Sequence, residues 1–249
     1  MKKLIVNFSG GRTSAYMAIK LWQSYREQFD LTFVFANTGK ERPETLDFIK
    51  RVSEHYSMPI VWLEGVFGAL KGKGSGFKIV DYASADREGK VFEAMIQRYG
   101  IPNVATPHCS GRMKAHVISA WKKANGWVKV DQALGIRLDE IDRARVSKLK
   151  FQFVYPLISL FPTRIEVINK FWMNHPFDLQ LKSYEGNCDF CFKKGLRKLK
   201  TIAIENPHLI EWWKKQEAQN PDRFFFRDYK TTRQIVAEAH EPFKHAIDT

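Results

Sequence analysis

Residues 9–14, Ser9-Gly10-Gly11-Arg12-Thr13-Ser14, separate two segments of different periodicity. Before them, residues 3–8 form a short β-type run; after them, residues 15–26 carry Tyr16, Ile19 and Trp22 at helical spacing. A strand, a double-glycine turn and a helix in that order leave few folds open. Glycine adopts positive φ and lets the backbone approach a ligand closely. The helix that follows aims its free N–H groups and the positive end of its dipole at the same point, an anion site to which Ser9, Thr13 and Ser14 add hydroxyls. The spacing is neither Gly-x-x-x-x-Gly-Lys-Ser/Thr nor Gly-x-Gly-x-x-Gly. A plain tight turn is the competing reading, but a loop closing the first strand of an α/β sheet stands where ligands gather.

The alternation continues. Residues 31–35 read as a second strand, and Pro43 opens a helix with Leu46, Ile49 and Val52 on one face. Residues 59–63 read as a third strand, 127–134 as a fourth and 154–160 as a fifth, with helices over 91–98, 113–123, 166–172 and 196–204. In the last of these Leu196, Leu199 and Ala203 share a face. Strands and helices at this pitch imply βαβ units and a mostly parallel, roughly five-stranded sheet flanked by helices. Residues 64–89 lose the pattern around a Lys-Gly-Lys-Gly-Ser-Gly centre, which suits a lid over a ligand or a surface insertion. Pro176 and Gly186 bracket a change to shorter elements, dividing the chain into an α/β part over 1–175 and a small, helical, more basic part over 176–249. The aromatics Trp212, Trp213 and Phe224–Phe226 read as packing of that part onto the rest.

The net charge is +13, from 40 Lys and Arg against 27 Asp and Glu. That excess favours nucleotides, sulfated or phosphorylated metabolites, or nucleic acid as partners. No run of about 18 apolar residues is present to span a membrane. The apolar start is broken at Asn7 and Ser9, too soon for an export signal, so the expected location is the cytoplasm. Three cysteines are too few and too odd for a disulfide framework. Cys188 and Cys191, three apart, can face one metal or each other, and thiolates select zinc, copper or iron–sulfur. A free dithiol is the alternative.

The loop resembles the PP-loop of the adenine nucleotide alpha-hydrolase superfamily, above all its phosphoadenosine phosphosulfate (PAPS) reductase-like branch in the short forms carried by phages and prophages. Further segments match that branch in order: Phe35-Ala36-Asn37-Thr38-Gly39, Arg42-Pro43-Glu44-Thr45, Cys109-Ser110-Gly111-Arg112-Met113-Lys114, Gly135-Ile136-Arg137-Leu138-Asp139-Glu140, Arg143-Ala144-Arg145, Tyr155-Pro156-Leu157 and Gly186-Asn187-Cys188-Asp189-Phe190-Cys191-Phe192-Lys193. No single match is specific; the ordered set is.

The resemblance implies that Ser9, Gly10, Gly11, Arg12, Thr13 and Ser14 cradle phosphates, and that Asn37, Thr38 and Gly39 approach the ribose or adenine. It implies that Arg112, Lys114, Arg137, Arg143 and Arg145 meet the anionic end of ATP, PAPS or a related nucleotide. It also brings Cys109 to Cys188 and Cys191, with Lys114, as the catalytic group. There a [4Fe–4S] cluster is favoured over zinc, completed by His108, or over no metal. Two departures qualify this. Thr13 replaces an Asp thought to help with Mg²⁺, and residues 241–249 lack the usual Glu-Cys-Gly-Leu-His-type motif. The implied function is an enzyme of sulfur or adenylyl transfer on a sulfonucleotide, served by a thiol reductant protein. The alternatives are an ATP-dependent enzyme modifying tRNA or DNA with sulfur, and a nucleotide-sequestering protein without turnover.

Overall fold

A computed structural model describes residues 1–68, 76–144 and 152–248. Six strands form one sheet: β1 (Lys2–Asn7), β2 (Phe29–Asn37), β3 (Ile60–Val66), β4 (Gly76–Val80), β5 (Asp131–Ala133) and β6 (Phe153–Val154). Their order is β4-β3-β2-β1-β5-β6, all parallel except β4, which pairs antiparallel with β3 at one edge. The chain lays β2 and β3 on one side of β1, then returns to place β5 on the other. The carboxyl end of β1 is therefore a switch point, the crevice where open α/β sheets bind ligands.

Alternation along the strands feeds both faces. Val6, Phe33 and Phe35 point into a core with Met17 and Ile19 of α1 (Arg12–Tyr25) and Leu46 and Ile49 of α2 (Pro43–His55). Ile5, Val34 and Leu63 point the other way, against Val117 and Trp121. Pro43 takes the first turn of α2, where its missing N–H is no loss, with Glu44 beside the positive dipole end.

α3 (Lys90–Tyr99) is followed by a π-helical stretch, Cys109–Ala115, that runs into α4 (His116–Ala124). Two short helices, α5 (Pro156–Ser159) and α6 (Ile165–Met173), precede α7 (Leu196–Glu205), α8 (Glu211–Ala218) and α9 (Thr232–Ala239). A capping box between Thr231 and Gln234 starts α9. The last three helices share a hydrophobic cluster with α3, in which Trp213, Phe225 and Phe226 are buried as expected.

Several boundaries differ from expectation. β3 extends to Val66 and is joined by β4, so the supposedly patternless 64–89 contains sheet; its centre, 69–75, lies outside the described residues. Of the fifth strand expected over 154–160 only Val154 lies in β6, because Pro156, unable to donate to a ladder, opens a helical turn instead. Residues 127–130 form a turn before β5, with Val130 N bonded to Trp127 O at 3.2 Å. The helix expected over 113–123 is entered through the π-helical stretch. Leu196 is 37% exposed rather than inward beside Leu199.

Candidate functional site

The 9–14 loop closes β1 at the switch point. Gly10 takes φ +82°, and a Cβ there would stand 2.5 Å from Thr45 Cγ2, so α2 packs directly under the turn. Gly11 is the extended residue before α1, which has no side-chain cap and no acidic residue in its first turn. Ser14 staples the loop: its hydroxyl accepts from Ser9 N (3.1 Å) and Ser9 Oγ (2.9 Å) and donates to Gly11 O (2.9 Å). The loop after β5 meets it, since a Cβ on Gly135 would lie 3.3 Å from Ser14 Cα. Between them opens a cavity of about 310 Å³ whose wall includes Ser9, Gly11, Thr13, Arg137, Arg143 and Lys182.

The basic groups of this wall already face carboxylates. Arg12 forks onto Asp178 with two 2.7 Å bonds, so its guanidinium ties the 178–179 segment to α1. Arg137 bonds Asp139 (2.8 Å), lies 3.2 Å from Glu140, and donates to Thr13 Oγ1 at 3.0 Å. The bond to Asp139 holds Arg137 firmly protonated. Arg143 shares Glu140, and Lys182 pairs with Glu205 at 3.0 Å. Arg145 lies outside the described residues.

Asn37, Thr38 and Gly39 stand at the carboxyl end of β2, where their polar atoms are bonded within the protein. Asn37 Nδ2 donates to Glu64 Oε1 (2.7 Å) and Asp86 O (2.9 Å), and Gly39 N donates to Asn37 Oδ1 (3.2 Å). Lys78 Nζ pairs in charge with the buried Glu64 Oε2 at 2.9 Å, without hydrogen-bond alignment. Thr38 gives its N–H (2.8 Å) and its hydroxyl (2.7 Å) to Glu41.

Glu41 connects these residues to the cysteines. Its carboxylate is fully buried, accepts from Lys114 Nζ at 3.2 Å and lies 3.9 Å from Cys188 Sγ; the two backbones form an isolated antiparallel bridge. Burial pushes the Cys188 thiol well up, Glu41 adds to this, and Lys114 opposes it. Burial and Cys191 push Cys109 up as well, against Lys114 and Lys193. Burial works against the Lys114 ammonium, yet the Glu41 carboxylate holds it above its usual range. Cys109, Cys188 and Cys191 therefore share one electrostatic neighbourhood.

The iron–sulfur and zinc expectations for these cysteines gain no support from the arrangement of the side chains. Among the described residues no group of three His, Cys, Asp or Glu side chains is arranged to hold an ion. Arg112 lies over Tyr99, 4.7 Å from the ring centroid, and is not part of the cavity wall.

Sequence reasoning gave several residues no role, although Arg42, Asn187 and Asp189 lie in segments that carry the resemblance. Asn187 donates its side-chain amide to Ser9 O (2.8 Å), and its backbone carbonyl accepts from Arg42 N (2.7 Å). Lys40 and Asp189 form a buried ion pair at 2.7 Å, to which Trp213 Nε1 adds a 3.0 Å bond. Lys40-Glu41-Arg42 looks like a solvated turn, yet all three residues are buried. The usable signal was position: a charged triplet before Pro43, where β2 meets the ligand edge.

The phosphoadenosine phosphosulfate reductase domain matches residues 3–67, the segment from β1 through β3 that includes the loop, Asn37–Gly39 and Glu41. The uncharacterized nin region protein ORF290 of Escherichia phage lambda is 33% identical over 199 residues, covering 78% of this chain and 67% of that protein. No described helix is long and apolar enough to cross a membrane.

Proposed function

The chain belongs to the PAPS reductase-like family, and from that premise we propose that it binds an adenine nucleotide on the 9–14 loop and acts in sulfur or adenylyl transfer on a sulfonucleotide. The observation that carries this is the first turn of α1. Its N–H groups have no side-chain cap, the turn itself contains no acidic residue, and it borders a cavity large enough for a phosphate-bearing group.

The roles follow from the geometry. Gly10 and Gly11 bring the backbone to the phosphate, and Ser14 keeps the turn rigid, so little ordering remains to be done on binding. Thr13 offers no charge for a metal ion. In this reading Arg137, held at Thr13 by its own hydrogen bond, meets the phosphate oxygens with its planar fork. Asp139 and Glu140 orient Arg137 and moderate its field, which suits directional recognition of one or two phosphates. Asn37, Thr38 and Gly39 support the β2 end from within. Cys109, Cys188, Cys191 and Lys114 form a thiol site across Asn187 from the loop, and no iron–sulfur step is assigned to them.

A thermal-shift panel of ATP, AMP, PAPS and adenosine bisphosphate tests the reading. At least one should raise the melting temperature, and Arg137→Gln should reduce that rise. Equal melting temperatures throughout would contradict it. Stabilisation by PAPS without turnover under reducing, anaerobic conditions would favour sequestration over transfer.

A further inference from the structure

Arg137, Glu140 and Arg143 stand three residues apart, and Leu138–Arg143 is a 3₁₀ segment entered from Arg137. With three residues per turn, positions i and i+3 of such a segment fall on one face. The segment bends at Glu140 (φ −122°, ψ 24°), yet the stripe holds, because Glu140 contacts both arginines. All three side chains belong to the wall of the cavity beside the 9–14 loop. Their charges alternate along it: a guanidinium, a carboxylate and a second guanidinium.

Thr13 fixes the order of the stripe relative to the loop. Arg137 Nη1 donates to Thr13 Oγ1 at 3.0 Å, so the first guanidinium stands at the loop. Glu140 comes next: one of its oxygens lies 3.2 Å from Arg137 Nη1, and the other accepts from Arg143 Nη1. A carboxylate held between two guanidiniums takes the place in which a phosphate would bridge them. Asp139 differs, since it forks onto Arg137 with bonds of 2.8 and 3.0 Å and lies outside the cavity wall. The other two cations of the wall, Arg12 and Lys182, face Asp178 and Glu205. Each cation of the described wall therefore has a carboxylate opposite it, and the cavity offers a ligand little surplus positive charge. Space agrees with charge, because about 310 Å³ stands at the lower end of the roughly 300–1,000 Å³ of small-molecule cavities.

We infer that Glu140 determines specificity at this site: it admits an adenine nucleotide with a short anionic end, a monophosphate or a phosphosulfate, and rejects a triphosphate. The inference rests on nucleotide binding at the 9–14 loop and deepens that reading. The first phosphate sits on the N–H groups of the loop and meets Arg137. A tail lengthened along the stripe meets Glu140 before Arg143, and each added phosphate sets a like charge against a carboxylate that is already paired. Binding the long tail requires Glu140 to give up both guanidiniums. Binding the short one leaves the Glu140–Arg143 pair as it is.

Calorimetric titration with AMP, PAPS and ATP, the last with and without Mg²⁺, tests this on the parent, Glu140→Gln and Glu140→Asp. The parent should bind AMP or PAPS about tenfold or more tighter than ATP in either form. Glu140→Gln keeps the shape and removes the charge, so ATP should gain about fivefold or more while AMP changes less than about twofold. Glu140→Asp keeps the charge and should keep most of the discrimination. A merely structural role would lower both affinities together in Glu140→Gln instead of raising one. Glu140→Ala gives the same sign if the glutamine variant folds poorly, as melting temperatures without ligand will show. Equal binding of ATP and AMP by the parent, or an unchanged ratio in Glu140→Gln, would overturn the inference and leave the nucleotide site standing. No binding of any ligand by any of these proteins would overturn both.

Discussion

Asn187 donates its side-chain amide to the carbonyl oxygen of Ser9 at 2.8 Å, so the residue before Cys188 is fastened to the first residue of the 9–14 loop. The same residue limits space over the loop, since a Cβ on Gly11 would lie 3.2 Å from Asn187 Nδ2. The two chemical halves of the site meet through this one side chain. Asn187→Ala should lower stability by about 1 kcal/mol, the usual net value of such a bond. It should weaken nucleotide binding further, because the loop loses its tether. Urea unfolding beside a ligand titration separates the two effects.

Gly10 carries two constraints, a positive φ and contact with Thr45. Gly10→Ala should cost about 2 kcal/mol or more, combining left-handed strain with overpacking. Thr45→Ser removes the Cγ2 that the new methyl would meet. The double variant should recover the packing part and leave the backbone part, as read from urea midpoints.

Lys40 and Asp189 are a buried pair, and burial drives the Asp189 carboxyl up against the pull of Lys40. Lys40→Met leaves that carboxyl without its cation and should cost about 3–5 kcal/mol. Lys40→Met/Asp189→Leu should be much closer to the parent than the sum of its single variants. A double-mutant cycle by chemical unfolding measures the coupling.

The elements legible in the sequence were those with a strong period and a physical start signal. β1, β2, α1 and α2 each pair alternation or helical spacing with Gly10-Gly11 or Pro43, and the resemblance fell on the same segments. β4 was not legible because it is an edge strand whose Ile79 is 63% exposed, so no apolar alternation marks it. The fourth and fifth strands were expected over 127–134 and 154–160, but β5 and β6 span only three and two residues, too short for a period to fix their bounds. Asn187, Glu41 and the Lys40–Asp189 pair escaped for another reason. Polar residues are read as solvated until tertiary structure supplies partners, and theirs come from 73 to 178 residues away. The Arg12 contact with Asp178 was hidden in the same way.

The thiols offer a pH test. Cys109 and Cys188 are pushed above their ordinary value, so at pH 7.5 less of each is thiolate and alkylation should be slower than for a free thiol. The rate should rise through a midpoint displaced to higher pH. Glu41→Gln removes a charge that raises Cys188, so its profile should move down. Lys114→Met removes one that lowers it, and the profile should move up. Mass-spectrometric rates of iodoacetamide labelling across pH resolve each cysteine.

The central claim is that the 9–14 loop is an adenine-nucleotide site. Calorimetric titration of the parent protein and of Gly11→Trp with ATP, AMP, PAPS and adenosine bisphosphate tests it most directly. Gly11 has an ordinary extended backbone, so tryptophan adds no left-handed strain there, while its indole must displace Asn187 or fill the cavity. The account predicts saturable binding of at least one ligand by the parent and at least a tenfold loss, about 1.4 kcal/mol, in a folded Gly11→Trp. Absence of binding to all four, or the same affinity in both proteins, would contradict it.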